Sequence, residues 1–79
     1  MKSFIQVSTT TENKEDAQKI AQYLVIQKLA ACVQITGPIE STYHWKSKVQ
    51  TASEWLCLIK TKDNLFDKVR EAIKKLHPY

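Results

Sequence analysis

Apolar and polar positions alternate at the start of the chain. Ile5 and Val7 point one way and Phe4 and Gln6 the other, so Ser3 to Ser8 reads as a first strand. Thr9 to Thr11 lead to Asn13, whose side chain suits a helix N-cap, with Glu15 and Asp16 in the first turn where the helix dipole favours acids. The period then becomes helical. Ala17, Ile20, Ala21, Leu24, Val25 and Leu29 form one stripe, which predicts a helix running to about Leu29, with Tyr23 and Ile26 off the stripe and available for a second contact. A second strand starts near Ala31, with Ala31, Val33 and Ile35 on one side and Cys32 and Gln34 on the other. Gly37-Pro38 interrupts it with a bend or bulge, after which it resumes from Ile39 to Trp45. A tight turn at Lys46 to Lys48 joins it to a third strand, Val49 to Thr61. The centre of that strand, Trp55 to Ile59, is apolar at every position, so both of its faces are expected to be covered, one by helices and the other by a neighbouring subunit. Asp63 is the expected N-cap of a second helix with the stripe Leu65, Val69, Ala72, Ile73 and Leu76, ended by Pro78.

The order strand, helix, strand, strand, helix predicts one α+β domain over residues 1–79, an antiparallel sheet with two helices on one face. Its regular form is the ferredoxin-like split βαβ, which closes with a fourth strand. That final strand is expected to be absent from these residues, leaving the first strand as an open edge, the mark of either a truncated chain or an edge that a partner chain covers.

Composition narrows the reading. A chain of 79 residues buries a small core, so help from disulfides, a metal or oligomerisation is expected. Two cysteines, Cys32 and Cys57, are too few for a disulfide scaffold, and nothing at the N-terminus resembles a signal peptide. Reduced thiols, a cytoplasmic location and oligomerisation follow as expectations. No apolar run is long enough to span a bilayer, so no membrane partner is expected. The net charge of +4 comes from basic residues interleaved with acids on the helices, the pattern of solvated faces and not of a nucleic-acid footprint.

Lys28-Leu29-Ala30-Ala31-Cys32-Val33, Ser41-x-Tyr43-x-Trp45, Lys60-Thr61 and Leu76-His77-Pro78-Tyr79, in this order and spacing, resemble the CutA family of divalent-cation tolerance proteins. The resemblance implies a ferredoxin-like fold, tight homotrimers in which long hairpins pair with neighbouring subunits, and binding of divalent cations, notably copper. No cofactor is required. The family's likeness to trimeric PII-type signalling proteins implies an alternative role, a regulatory or scaffold protein with a small ligand between subunits. Two departures stand out. Ser47 replaces a glycine in the hairpin turn, where positive φ suits glycine better, and the family's final strand and C-terminal helix are missing.

By the same resemblance, Cys32 and His77 are the metal candidates, and soft thiolate and imidazole suit copper. A cysteine that some family members carry before the first helix is Ser8 or Thr9 here, so a working site needs further ligands, supplied by neighbouring copies. Each candidate also has a plain reading, Cys32 as a small buried apolar residue and His77 as a partner of the last helical carbonyls. Cys57 reads as core and His44 as exposed or an accessory contact. Tyr43, Trp45, Lys60 and Tyr79 match positions around the family's inter-subunit cleft, where they would bind a small anion or metabolite or pack the interface. Nothing points to an enzyme. The one arginine, Arg70, lies on a helix and the one glycine is Gly37, so the anion loop of an acylphosphatase is lacking, and no phosphate loop or paired carboxylates appear.

Overall fold

The computed structural model describes residues 3–77. Along it run β1 (Phe4–Thr11), α1 (Lys14–Ile26), β2 (Cys32–Trp45), β3 (Lys48–Lys62) and α2 (Phe66–Leu76), with a single 3-10 turn at Asp63–Leu65 before α2. The sheet order is β1-β3-β2, and both outer strands run antiparallel to β3. β1 and β2 are therefore parallel to each other with β3 inserted between them and α1 as the crossover, which is the ferredoxin-like split βαβ arrangement of an α+β fold.

Both helices pack on one face of the sheet. Ala17, Ile20 and Leu24 of α1 and Val69 and Ala72 of α2 close on Cys57 and Ile59 of β3 to form the core. These helical residues all belong to the stripes that the sequence pattern predicts. In β3, Trp55, Cys57, Ile59 and Thr61 point to the helices, while Leu56 and Leu58 lie half-buried on the other face. Among the described residues no helix covers that second face, and β1 is hydrogen-bonded only to β3.

Several element ends differ from expectation, each for a local reason. β1 runs on to Thr11, because its β-branched threonines pair with Cys57, Leu56 and Trp55, and the buried Thr11 hydroxyl donates to Asn13 O at 2.6 Å. Asn13 caps α1 as expected, its Oδ1 accepting from the Asp16 N–H at 2.8 Å. The helix stops at Ile26 and not at Leu29. Lys28 takes φ 59°, the Lys28 N–H donates to Val25 O, and the Leu29 N–H reaches back to Leu24 O. This is a Schellman cap with lysine where glycine is usual. The buried Thr61 hydroxyl then holds Leu29 O at 2.6 Å. Asp63 does not cap α2. It opens the 3-10 turn without a side-chain cap, and α2 begins at Phe66.

Gly37-Pro38 does not break β2. The pairing steps from Thr36↔Leu56 to Ile39↔Glu54, so one extra residue bulges out of an otherwise continuous ladder. Gly37 is required there. A Cβ at this position would lie 2.8 Å from Trp55 Cε3 and 3.1 Å from the Glu54 carbonyl oxygen. At the far end of the hairpin, Lys46 and Ser47 form a two-residue turn with φ of 51° and 64°, the left-handed pair that a type I′ turn needs.

Candidate functional site

Register decides which candidates share a face. Val33 and Ile59 pair directly and both pack into the core, so their neighbours Cys32 and Lys60, also paired, lie on the uncovered face. Gln6 faces Lys60 from the other side. The bulge then reverses the alternation of β2. Beyond it Ile39, Ser41, Tyr43 and Trp45 pair with Glu54, Ala52, Gln50 and Lys48, on the same side as Leu56 and Leu58. Cys32, Lys60, Tyr43 and Trp45 thus occupy one uncovered face. They are spread along it, since the partners of Cys32 and Tyr43, Lys60 and Gln50, lie ten positions apart on β3, about 33 Å at the usual rise.

Tyr43 and Trp45 stand over an open groove of about 870 Å³. Its floor and walls also include Thr10, Glu12, Gln50 and Glu54. Glu54 Oε2 accepts a hydrogen bond from the Thr10 hydroxyl at 3.1 Å. Tyr43 is 45% exposed and Trp45 is 59% exposed. Lys46 Nζ sits 5.8 Å from the centre of the Trp45 ring. Lys60 is not part of this groove; it lies with Cys32 towards the other end of the sheet. His44 pairs with Val49 near the hairpin tip and is exposed.

His77 lies on the opposite side. It ends α2, its N–H donating to Ile73 O, and its Nδ1 is 3.8 Å from Asp16 Oδ2 of α1. The pair is held where the two helices meet, with the imidazole largely sheltered. Within one chain, then, Cys32 and His77 stand on opposite faces of the sheet and do not converge on one ion. Among the described residues, no group of three or more His, Cys, Asp or Glu side chains is placed to hold a metal. Cys57 is fully buried, its Sγ 3.9 Å from Ala17 O, and burial pushes its thiol pKa up. Tyr79 lies outside the described residues.

Glu12 and Glu54 were not among the residues singled out by sequence. Their signal is faint, an acid just after β1 and another just before the apolar centre of β3. Only the register across the bulged hairpin brings them beside Tyr43 and Trp45.

The fold defines a ferredoxin-like protein with one sheet face left open. Comparison with known proteins narrows this. The model of the CutA1 divalent ion tolerance protein matches residues 5–79, and the chain belongs to that family. It is 45% identical over 75 residues to the chloroplastic protein CutA 1 of Oryza sativa, spanning 95% of this chain and 42% of that protein. The solved divalent cation tolerance protein of Thermus thermophilus superposes with a TM-score of 0.93 at 40% identity, covering 98% of this chain and 75% of the other. The periplasmic divalent cation tolerance protein CutA of Archaeoglobus fulgidus gives a TM-score of 0.93 at 36% identity, covering 98% and 74%. The chain therefore spans less than half the length of the rice relative and about three quarters of the solved chains.

These relatives correct one expectation. The rice protein is described as chloroplastic and the Archaeoglobus protein as periplasmic, so the cytoplasmic assignment does not stand. It rested on reading Cys32 and Cys57 as reduced thiols and on the lack of a recognisable signal peptide among the first residues given. No helix of the described residues is long and apolar enough to cross a membrane. The matched family and the two solved relatives are named as divalent-cation tolerance proteins.

Proposed function

We propose that this chain is a divalent-cation tolerance protein whose residues 1–79 act as one domain, binding copper as a homotrimer. The observation that carries the reading is the family match over residues 5–79. Chemistry supports the metal. A half-buried thiol at Cys32 and an imidazole at His77 are donors that suit copper. The geometry adds a condition: a site using both residues draws them from different copies of the chain. Self-association is supported by the uncovered sheet face, where Leu56 and Leu58 give a second copy an apolar strip to bury.

The test is calorimetric titration of Cu(I) and Cu(II) into the reduced protein, with its mass measured by light scattering. Cys32→Ser and His77→Ala are run alongside. A trimer that binds copper at a simple ratio, weakened in both variants, is expected. A monomer, or weak binding that neither change affects, would reject the reading.

The groove at Tyr43 and Trp45 favours a second reading, a regulatory or scaffold trimer that takes a small ligand in the cleft between copies. Lys60, remote from the groove in its own chain, would reach that cleft from a neighbour. This reading expects ligand binding that depends on Tyr43 and Trp45 and ignores Cys32→Ser.

A further inference from the structure

We propose that Asp16 is a metal ligand alongside His77, and that the imidazole nitrogen turned to the ion is Nδ1. This rests on the copper reading above and gives the histidine half of that site a second donor and a preferred oxidation state, Cu(II). Of the two imidazole nitrogens, Nε2 is enclosed by the chain's own atoms. A neighbouring copy packed on this chain can only add to that enclosure, so assembly does not open Nε2 to an ion. Nδ1 is the other nitrogen, and Asp16 Oδ2 stands 3.8 Å from it.

That separation is too long for a hydrogen bond. It suits two ligands of one ion, because donors each about 2 Å from a metal lie about 3–4 Å apart. Both residues are also pinned at the backbone. The His77 N–H donates to Ile73 O at the end of α2, and the Asp16 N–H donates to Asn13 Oδ1 in the first turn of α1. The pair therefore belongs to the single chain and to the packing of its two helices. Charge agrees with the assignment. The N-terminus of α1 disfavours a cation and the C-terminus of α2 favours one, so the dipoles oppose each other and the Asp16 carboxylate supplies the net attraction. Carboxylate oxygen with imidazole nitrogen is a donor pair for Cu(II), whereas the thiolate of Cys32 prefers Cu(I). Two donors per chain also agree with the lack, among the described residues, of any three that converge. The remaining positions on the ion fall to water or to a neighbouring copy, whose Cys32 is the donor that the copper reading names.

The experiment is calorimetric titration of the assembled protein with Cu(II) and with Cu(I), on the native chain, Asp16→Asn, Asp16→His, His77→Ala and Cys32→Ser. Cu(II) electron paramagnetic resonance reports nitrogen coupling in the same samples. Asp16→Asn should weaken Cu(II) by about tenfold or more and leave Cu(I) nearly unchanged. Asp16→His should restore Cu(II) binding and add a second coupled nitrogen, which loss of a plain helix contact does not produce. Melting temperatures of the metal-free variants show whether the fold is intact. Cu(II) affinity that Asp16→Asn leaves unchanged, while Cys32→Ser and His77→Ala weaken it, overturns the role of Asp16 and keeps the copper reading. Equal weakening by Asp16→Asn and Asp16→His, with lowered melting temperatures, assigns the pair to helix packing and also overturns it. Weakening by Asp16→Asn and His77→Ala with no effect of Cys32→Ser upholds the Asp16–His77 pair and removes Cys32 from the site. No copper binding by the native chain rejects both readings together.

Discussion

Gly37→Ala tests the bulge on which the candidate site depends. The added methyl would lie 2.8 Å from Trp55 Cε3, 2.9 Å from Cδ2 and 3.1 Å from the Glu54 carbonyl oxygen, all inside van der Waals contact. None of these atoms is the loose end of a flexible chain. The Trp55 ring packs against the core with Lys14 Nζ 5.5 Å from its centre, and the carbonyl belongs to the β3 ladder. Relief requires tilting the ring or opening the bulge. Overpacking of this kind costs about 1–3 kcal/mol. For a domain of this size that is about 4–8 °C in melting temperature for each kcal/mol. Denaturation should be followed at fixed protein concentration, because assembly makes the midpoint depend on it. The decisive arm is a double-mutant cycle. In a Trp55→Leu background the ring is gone, and Gly37→Ala should cost less than half of what it costs alone. Equal cost in both backgrounds would show that the ring contact is not the reason for glycine and refute the reasoning.

Other substitutions read other parts of the chain. Lys28→Gly and Ser47→Gly each replace a side chain at positive φ, and each should stabilise by about 1 kcal/mol, additively since the sites are remote, in urea melts. Thr61→Val removes the buried hydroxyl that donates to Leu29 O and strands that carbonyl, so it should destabilise by about 1–3 kcal/mol in the same assay. In the native protein iodoacetamide should label half-buried Cys32 first, with Cys57 reacting only on unfolding. Burial raises the Cys57 thiol above its ordinary value of 9.0, so the folded state holds that proton longer than the unfolded chain does. Stability should be unaffected by this thiol below about pH 9 and fall as pH rises beyond it, and Cys57→Ala should remove that alkaline loss in pH-dependent melts.

Much of the fold was legible because its signals are local. The helical stripes, the Asn13 cap and the apolar centre of β3 each announce themselves within a few residues. What escaped were features whose usual residue marker is missing or whose cause is distant. Glycine commonly marks a Schellman cap; with Lys28 in its place, the stripe ran on to Leu29 and the helix seemed longer than it is. Asp63 looked like a cap because acids often are. The chain leaves β3 through a 3-10 turn, so the helix starts later, at Phe66. Cellular location has no residue pattern in this stretch at all, which is why reduced thiols misled.

The candidate site shows the same division, and the bulge is the reason. Alternation read straight through Gly37-Pro38 would put Cys32, Gln34, Thr36, Glu40, Thr42 and His44 on one face and send Tyr43 and Trp45 to the helix side. One extra residue reverses that outcome and leaves both aromatics exposed beside Glu12 and Glu54, on the face that also bears Cys32 and Lys60. No such adjustment can bring His77 there, because α2 packs on the other side of the sheet and Asp16 of α1 stands beside its imidazole. The family resemblance names Cys32 and His77 together, but likeness along a chain carries no information about faces. The separation therefore turns a question of ligand identity into one of assembly: a copper ion bound by both residues is a property of several copies in contact, and it should vanish under any substitution that leaves each chain folded but keeps the copies apart.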